Sequence, residues 1–388
     1  MPAKPLYYAH SAQDKLGNLL PYEHWQTLQS HSVNVGEMAV EFARVFGAQE
    51  IACQTGQLHD LGKYSEAFNH RLHGGPSVDH ATVGAKIAVE RWGNVIGKLM
   101  AFCIAGHHAG LANGNGEGDN RRTLKQRLAL QFGTDIPALD NLWQQEIKLP
   151  ETLSPPPLKA DSYYPFFSYA FFTRMLYSCL VDADYLDTEA FYSNLENKAV
   201  EQGGYPDLNT LQHNFNQFIN KFRRRVAQAP AQTEAEKRNA ALNRLRSEIL
   251  DHAVEQAAQP QGLFTLTVPT GGKTFTSMAF ALEYAKRHDM RRIIYVIPFT
   301  SIIEQNAAEF RKAFGELGEQ AVLEHHSTFD DGKLQDDVTK DKLGLARAYY
   351  PNSSHALDYR QLFDFSTPQA IYMACSLNFA RFKFGELM

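Results

Sequence analysis

The histidines and aspartates of the first half of this chain stand where helical stripes begin or end, and that placement constrains the fold more than any other feature. The amphipathic run over residues 50–61 carries Ile51, Cys53 and Leu58 at helical spacing and closes on His59-Asp60-Leu61-Gly62-Lys63. Gly62 offers the backbone a turn at that helix end. His31 opens the face of another stripe, residues 31–46, which continues through Val35, Met38, Phe42 and Val45. His80 falls in the first turn of a helix predicted over residues 78–92. The stripe Ile96, Leu99, Met100, Cys103, Ile104 terminates at the doublet His107-His108. Residues 166–185 are aromatic and apolar on most sides, so they read as a central helix, and they deliver Asp182 and Asp184. Residues 66–78 and 109–120 read as loops, 121–132 as a short basic helix, and 149–165 as a proline-punctuated connection. Residues 1–193 are therefore expected to form one all-α domain.

A lone His-Asp dipeptide is most often a surface accident, and a single histidine near a helix end is usually a polar cap. The ordered set is another matter. Five histidines and two or three carboxylates on separate helices of one bundle suit a divalent metal centre, because imidazole and carboxylate both bind first-row ions and a bundle core aims them inward.

At 388 residues the chain suits two or three domains, each able to bury its own core. Its composition, 44% hydrophobic and 21% charged, is that of a globular protein rather than a disordered one. The formal charge of −5 means that nucleic-acid contact must come from local basic patches. Two stand out: Arg121, Arg122, Lys125 and Arg127 just after the His107-His108 loop, and Lys221, Arg223, Arg224 and Arg225 around Phe222, a mixture that suits phosphate contact with a stacked base. Four scattered cysteines make neither a zinc finger nor a disulfide framework. No apolar run is long enough for a membrane helix and no signal pattern opens the chain, so a reducing cytoplasm is expected.

Past residue 193 the pattern changes. Residues 194–261 are polar and helical, a connector expected to pack in part against the domain C-terminal to it. Strand and helix then alternate over residues 262–388: strands at 263–268, 292–297 and 321–324, helices at 273–286 and 301–314, an arrangement that argues a parallel sheet. Thr270-Gly271-Gly272-Lys273-Thr274 stands between a strand and a helix, where a phosphate loop belongs: backbone amides cradle phosphates, Lys273 reaches the terminal groups and Thr274 holds Mg²⁺.

His31, His59-Asp60 with Lys63, His80, His107-His108 and a late aspartate together resemble the HD superfamily of metal-dependent phosphohydrolases, and in particular the nuclease domain of the CRISPR-associated nuclease-helicase of type I systems. The resemblance implies a multidomain protein, an all-α HD-type nuclease domain followed by a partial α/β RecA-like domain. It implies two divalent ions, manganese, iron, cobalt, nickel or magnesium, held by His31, His59, Asp60, His80, His107, His108 and Asp184. Asp60 and Lys63 are the expected catalytic residues, with Lys63 holding the scissile phosphate or a bridging ligand. Asp184 precedes Tyr185-Leu186, similar to the family's Ala-Asp-aromatic pattern, and Asp182 is the alternative; residues two apart on a helix diverge by about 200°, so one of them should point inward. The implied substrate is single-stranded DNA, and the implied partner a multisubunit RNA-guided complex.

Downstream, Pro298-Phe299-Thr300-Ser301 and the residues following it resemble a helicase motif in which Thr300 and Ser301 meet single-stranded DNA, and the stretch from His325 to Asp330 is also similar to the family. Two departures weaken the motor. The family has three glycines before the lysine and this chain has two, and Thr267 stands where the general loop has glycine. Residues 349–388 show neither the Asp-Glu pair nor a second lobe, so weak or absent ATP and Mg²⁺ binding is expected. Two other functions fit parts of the pattern: a phosphohydrolase of nucleotides, and a non-catalytic docking protein for the RNA-guided complex.

Overall fold

In this computed structural model the residues described are 7–116, 122–156, 158, 166–196, 206–229, 232–260, 262, 264–266, 272–290, 292–297, 299–325 and 371–375. They divide into two units, one up to residue 196 and one from residue 206 onward.

The first unit opens with strand β1 (Tyr8–His10), paired antiparallel with β2 (Gln26–Thr27). Thr27 then caps α1 (Leu28–Ala43), its hydroxyl accepting from the Ser30 amide. The helix thus begins three residues before His31 and ends before Val45, which lies exposed in a following 3₁₀ turn. α2 (Gln49–Leu58) runs into His59. Residues 66–78, expected as loop, contain α3 (Glu66–Leu72): Ser65 caps it by accepting from the Phe68 amide, and Phe68 is buried. The cap and one apolar anchor are too short a pattern to register as periodicity. α4 (Ala81–Trp92) starts after His80, and a π turn leads into α5 (Lys98–Gly106), which ends at His107. The basic helix is shorter than its charge run: α6 (Leu124–Leu128), closed at its N-terminus by a Thr123–Gln126 capping box. After the short α7 (Trp143–Glu146), the 29-residue α8 (Phe167–Leu195) crosses the unit.

Helices α1, α2, α4, α5 and α8 share one apolar core, built from Leu28, Val35, Ile51, Leu58, Met100, Ile104, Leu176 and Leu180. Two glycines set how closely its elements approach. A Cβ on Gly84 of α4 would collide with the Leu58 carbonyl at the end of α2. A Cβ on Gly62 would collide with the His80 backbone, whose carbonyl accepts from the Gly62 amide at 3.2 Å. Gly62 lies in the turn expected after α2, at negative φ, and its missing Cβ permits close contact between the His59–Lys63 turn and His80.

The second unit holds α9 (Leu208–Gln228), α10 (Glu234–Gln256), α11 (Lys273–Arg287), β3 (Ile293–Ile297), α12 (Thr300–Phe314), α13 (Gly318–Ala321), β4 (Val322–His325) and β5 (Ile371–Cys375). The strands form a parallel sheet in the order β3-β5-β4. Its central strand lies within residues 349–388, where the sequence reading expected no strand. The strand expected at 263–268 is absent from its described residues, Phe264–Leu266, which are irregular. The connector helix α9 contributes Leu208, Leu211, Phe215 and Ile219 to this unit's core, beside Met278, Leu282, Phe310 and Phe314.

Gly84→Ala is expected to destabilise the first unit by about 3 kcal/mol, the upper range for overpacking a close contact, read as a lowered urea midpoint. An unchanged midpoint would show that α2 and α4 do not meet there.

Candidate metal centre

His31 projects from the second turn of α1, His59 from the end of α2 and Asp60 from the turn after it. His80 precedes α4, His107 and His108 follow α5, and Asp184 lies in the middle of α8. Five elements thus deliver seven side chains to one place. Among the described residues, three sets of candidate ligand atoms each lie within 4.8 Å of one another: Asp60 with His80, His107 and His108; His31 with His59 and Asp60; and His59 with His107 and Asp184. Asp60 stands in two of them. Its Oδ2 lies 3.4 Å from His31 Nε2 and 3.3 Å from His59 Nε2, and its Oδ1 3.4 Å from His80 Nε2 and 3.5 Å from His107 Nε2. Asp184 Oδ1 closes the group at 3.4 Å from His31 Nε2 and 3.6 Å from His59 Nε2.

The imidazoles are pre-set to present Nε2. His59 Nδ1 donates to the Gly56 carbonyl at 2.6 Å, His107 Nδ1 to that of Ile104 at 2.7 Å, and His80 Nδ1 to that of Val78 at 3.1 Å. A carbonyl only accepts, so each ring carries a proton on Nδ1 and turns its Nε2 toward the cluster. Asp60 Oδ1 and His107 Nε2 are buried with no hydrogen-bond partner. Buried polar atoms without partners are costly, and here both face ligand atoms of the same group. Lone pairs of nitrogen and carboxylate oxygen converging on one point fit a divalent metal ion.

Electrostatics agree. Burial opposes charge on His31, but hydrogen bonds to Asp184, Asp187 and Asp60 outweigh it and lift the imidazole to about 10. Burial likewise opposes charge on His59, which Asp60 and Asp184 raise to about 9. Asp60 and Asp184 are held well below the usual carboxylate range despite burial, Asp60 by Lys63 and His59, and Asp184 by His59 and His31. Without a metal, protons on His31 and His59 hold the places a cation would take. Burial dominates at His80, lowered to about 4, so it stays neutral and available as a ligand. Its Nε2 faces that of His108 at 2.7 Å on the solvent side of the cluster, where His108 is exposed.

Lys63 Nζ lies 2.6 Å from Asp60 Oδ2 and donates to the Ala9 carbonyl at 3.2 Å, tying β1 to the cluster. Asp182 is also buried, but none of the three sets includes it. Two nearby residues escape a reading of the sequence alone. Asp187 Oδ2 lies 2.6 Å from His31 Nδ1, and its signal is a spacing of three from Asp184 on one helix face. His10 packs its ring 5.0 Å from that of His31, but a histidine in a three-residue strand gives no pattern to read.

The remaining expected residues fall elsewhere. Arg122 and Lys125 are exposed around α6, whereas Arg127 is half-buried and donates to Thr82 Oγ1 at 3.4 Å; Arg121 lies outside the described residues. Lys221, Arg224 and Arg225 are exposed on α9, and Arg223 is bound to Asp251 at 2.7 Å and to the Ser247 carbonyl. Of the phosphate loop, Thr270 and Gly271 lie outside the described residues. Gly272 stands at φ +119° before α11, a conformation that favours glycine; Lys273 opens the helix, and Thr274 Oγ1 donates to Asn306 Oδ1 at 3.0 Å. Thr300 and Ser301 open α12, with Ser301 exposed; residues 326–330 of the following motif lie outside the described residues.

The family described as Type III restriction enzyme, res subunit, matches residues 229–349. No curated protein matches the sequence. A crystal structure of T. fusca Cas3 with AMPPNP is similar at a TM-score of 0.44 and 14% identity, over 83% of this chain and 39% of that one. The chain thus spans about two fifths of that protein.

Metal binding must displace the protons on His31 and His59, so affinity for Mn²⁺ is expected to rise steadily from pH 6 to pH 9, with protons released on binding. Calorimetry in buffers of different ionisation enthalpy measures both; a pH-independent affinity would place the ion elsewhere. Asp184→Asn should weaken binding where Asp182→Asn leaves it near the parent value.

The restriction-subunit match falls on the stretch that carries the helicase-like motifs.

Proposed function

We propose that the first unit is a metal-dependent nuclease that cleaves single-stranded DNA in CRISPR interference, with two divalent ions held by His31, His59, Asp60, His80, His107, His108 and Asp184. The observation that supports this most is the sharing of the Asp60 carboxylate between two groups of imidazoles, each oxygen facing its own pair. A shared carboxylate between two sets of nitrogen donors suits two adjacent ions, the arrangement that phosphodiester hydrolysis uses. Bound there, the ions supply Lewis acidity that activates water and offsets the charge on the scissile phosphate.

The chain's own groups have defined work. His31, His59, Asp60, His107 and Asp184 form the sealed floor, and His80 with His108 forms the side open to solvent, where a strand enters. Lys63 balances Asp60 and has a third N–H to offer a phosphate oxygen or a bridging ligand, since two are given to Asp60 and Ala9. We assign the guiding of DNA in this unit to Arg122 and Lys125, which are exposed around α6. We assign residues 1–193 to the nuclease, 194–261 to a helical connector and 262–388 to part of a RecA-like helicase lobe. DNA reaches the nuclease through a multisubunit RNA-guided complex.

Circular single-stranded DNA incubated with Mn²⁺, Ni²⁺ or Mg²⁺ should be nicked and then degraded, and Asp60→Ala should slow this by about 10³-fold or more, the scale of several kcal/mol of lost charge stabilisation. Hydrolysis confined to mononucleotides would favour the nucleotide phosphohydrolase, and binding without turnover the docking protein. The second unit is not expected to unwind DNA unaided; DNA-dependent ATP turnover abolished by Lys273→Ala would overturn that part.

A further inference from the structure

We infer that Asp187 is a positioning residue of the metal centre, acting through His31 and locked in place by Gln26 and Asn34. The inference rests on the metal reading above. Asp187 follows Asp184 by three residues on α8, so both reach the same side of the helix from successive turns. Its Oδ2 lies 2.6 Å from His31 Nδ1 and accepts from Gln26 Nε2 at 2.6 Å, while its Oδ1 accepts from Asn34 Nδ2 at 2.7 Å. A carboxylate accepts and an amide nitrogen donates, so both oxygens are engaged by these partners, and none of the three candidate ligand sets includes Asp187. Gln26 comes from β2, and Asn34 lies three residues beyond His31 on α1.

The consequence is geometric. His31 meets a carboxylate on its Nδ1 edge and the metal ligands Asp60 and Asp184 on its Nε2 edge, with the His10 ring 5.0 Å away. A flip of the imidazole would bring its proton donor out of line with Asp187 and turn carbon edges toward the cluster. His59, His80 and His107 are oriented by carbonyls, and His31 is the one of these four oriented by an acid side chain. A carboxylate behind a metal-binding imidazole fixes its tautomer and raises its basicity.

The test uses the full chain with Mn²⁺ alone, titrated by calorimetry. Asp187→Ala should weaken binding by about 10- to 100-fold, the range for losing such a partner. Asp187→Asn should recover most of that loss, because its amide oxygen still accepts from His31 and Gln26 while a flipped Asn34 receives its N–H. Asn34→Ala, which frees only one oxygen, should cost less than Asp187→Ala and serves if that variant fails to fold. Nitrogen NMR of the imidazoles gives a readout independent of activity: His31 should hold its proton on Nδ1 in the Mg²⁺- or Zn²⁺-loaded parent and lose that fixed tautomer in Asp187→Ala. Parent-like Mn²⁺ affinity in Asp187→Ala, or in Asn34→Ala if only that folds, overturns the inference while leaving the metal reading intact. An Asp187→Asn variant as weak as Asp187→Ala also overturns it. A parent chain that binds no Mn²⁺ overturns both.

Discussion

One carboxylate organises the first unit. Asp60 offers one oxygen to His31, His59 and Lys63 and the other to His80 and His107, which joins its own His59–Lys63 turn to α1, to the start of α4 and to the end of α5. Burying so many polar groups together is unfavourable unless each finds a partner. The fold meets that cost from the inside, with carbonyls behind three imidazoles, a carboxylate behind a fourth and an ammonium against Asp60. What remains unsatisfied is concentrated at Asp60 Oδ1 and His107 Nε2, both facing the centre of the cluster.

The packing around the site exists to bring these turns together. Gly62 lets the His59–Lys63 turn lie against the His80 backbone, and Gly84 lets α4 lie against the end of α2. Both approaches are backbone to backbone, so they leave little room for the ligands to drift. β1 and β2 look peripheral, yet Ala9 accepts from Lys63 and Gln26 donates to Asp187. The hairpin is therefore part of the support of the centre.

Much of this is legible in the sequence, because helix ends have a period and a stop. Apolar stripes with a histidine at one end mark α1, where His31 lies near the start, and α2 and α5, which run into His59 and His107, and these polar ends meet. The rest is information carried by contact rather than by pattern. Gly62 reads as a turn glycine, and its further role shows only once the backbone of His80 is seen against it. Asp187 is one acid among several on α8 until His31 is found across from it. α3 is too short to show a stripe, and β5 pairs between strands far from it in sequence. In the second unit the alternation of strand and helix is readable, as is the partial packing of the connector, whose α9 gives Leu208, Leu211, Phe215 and Ile219 to the core.

Asp60, shared between two sets of donor atoms, would serve two ions rather than one. Electron paramagnetic resonance of the protein reconstituted with Mn²⁺ measures this directly. Two ions per chain with the multiline signal of a spin-coupled pair, replaced in Asp60→Ala by the six-line signal of isolated Mn²⁺ or by no bound metal, is the predicted result. A parent protein that shows only isolated Mn²⁺, or takes up none, would contradict it.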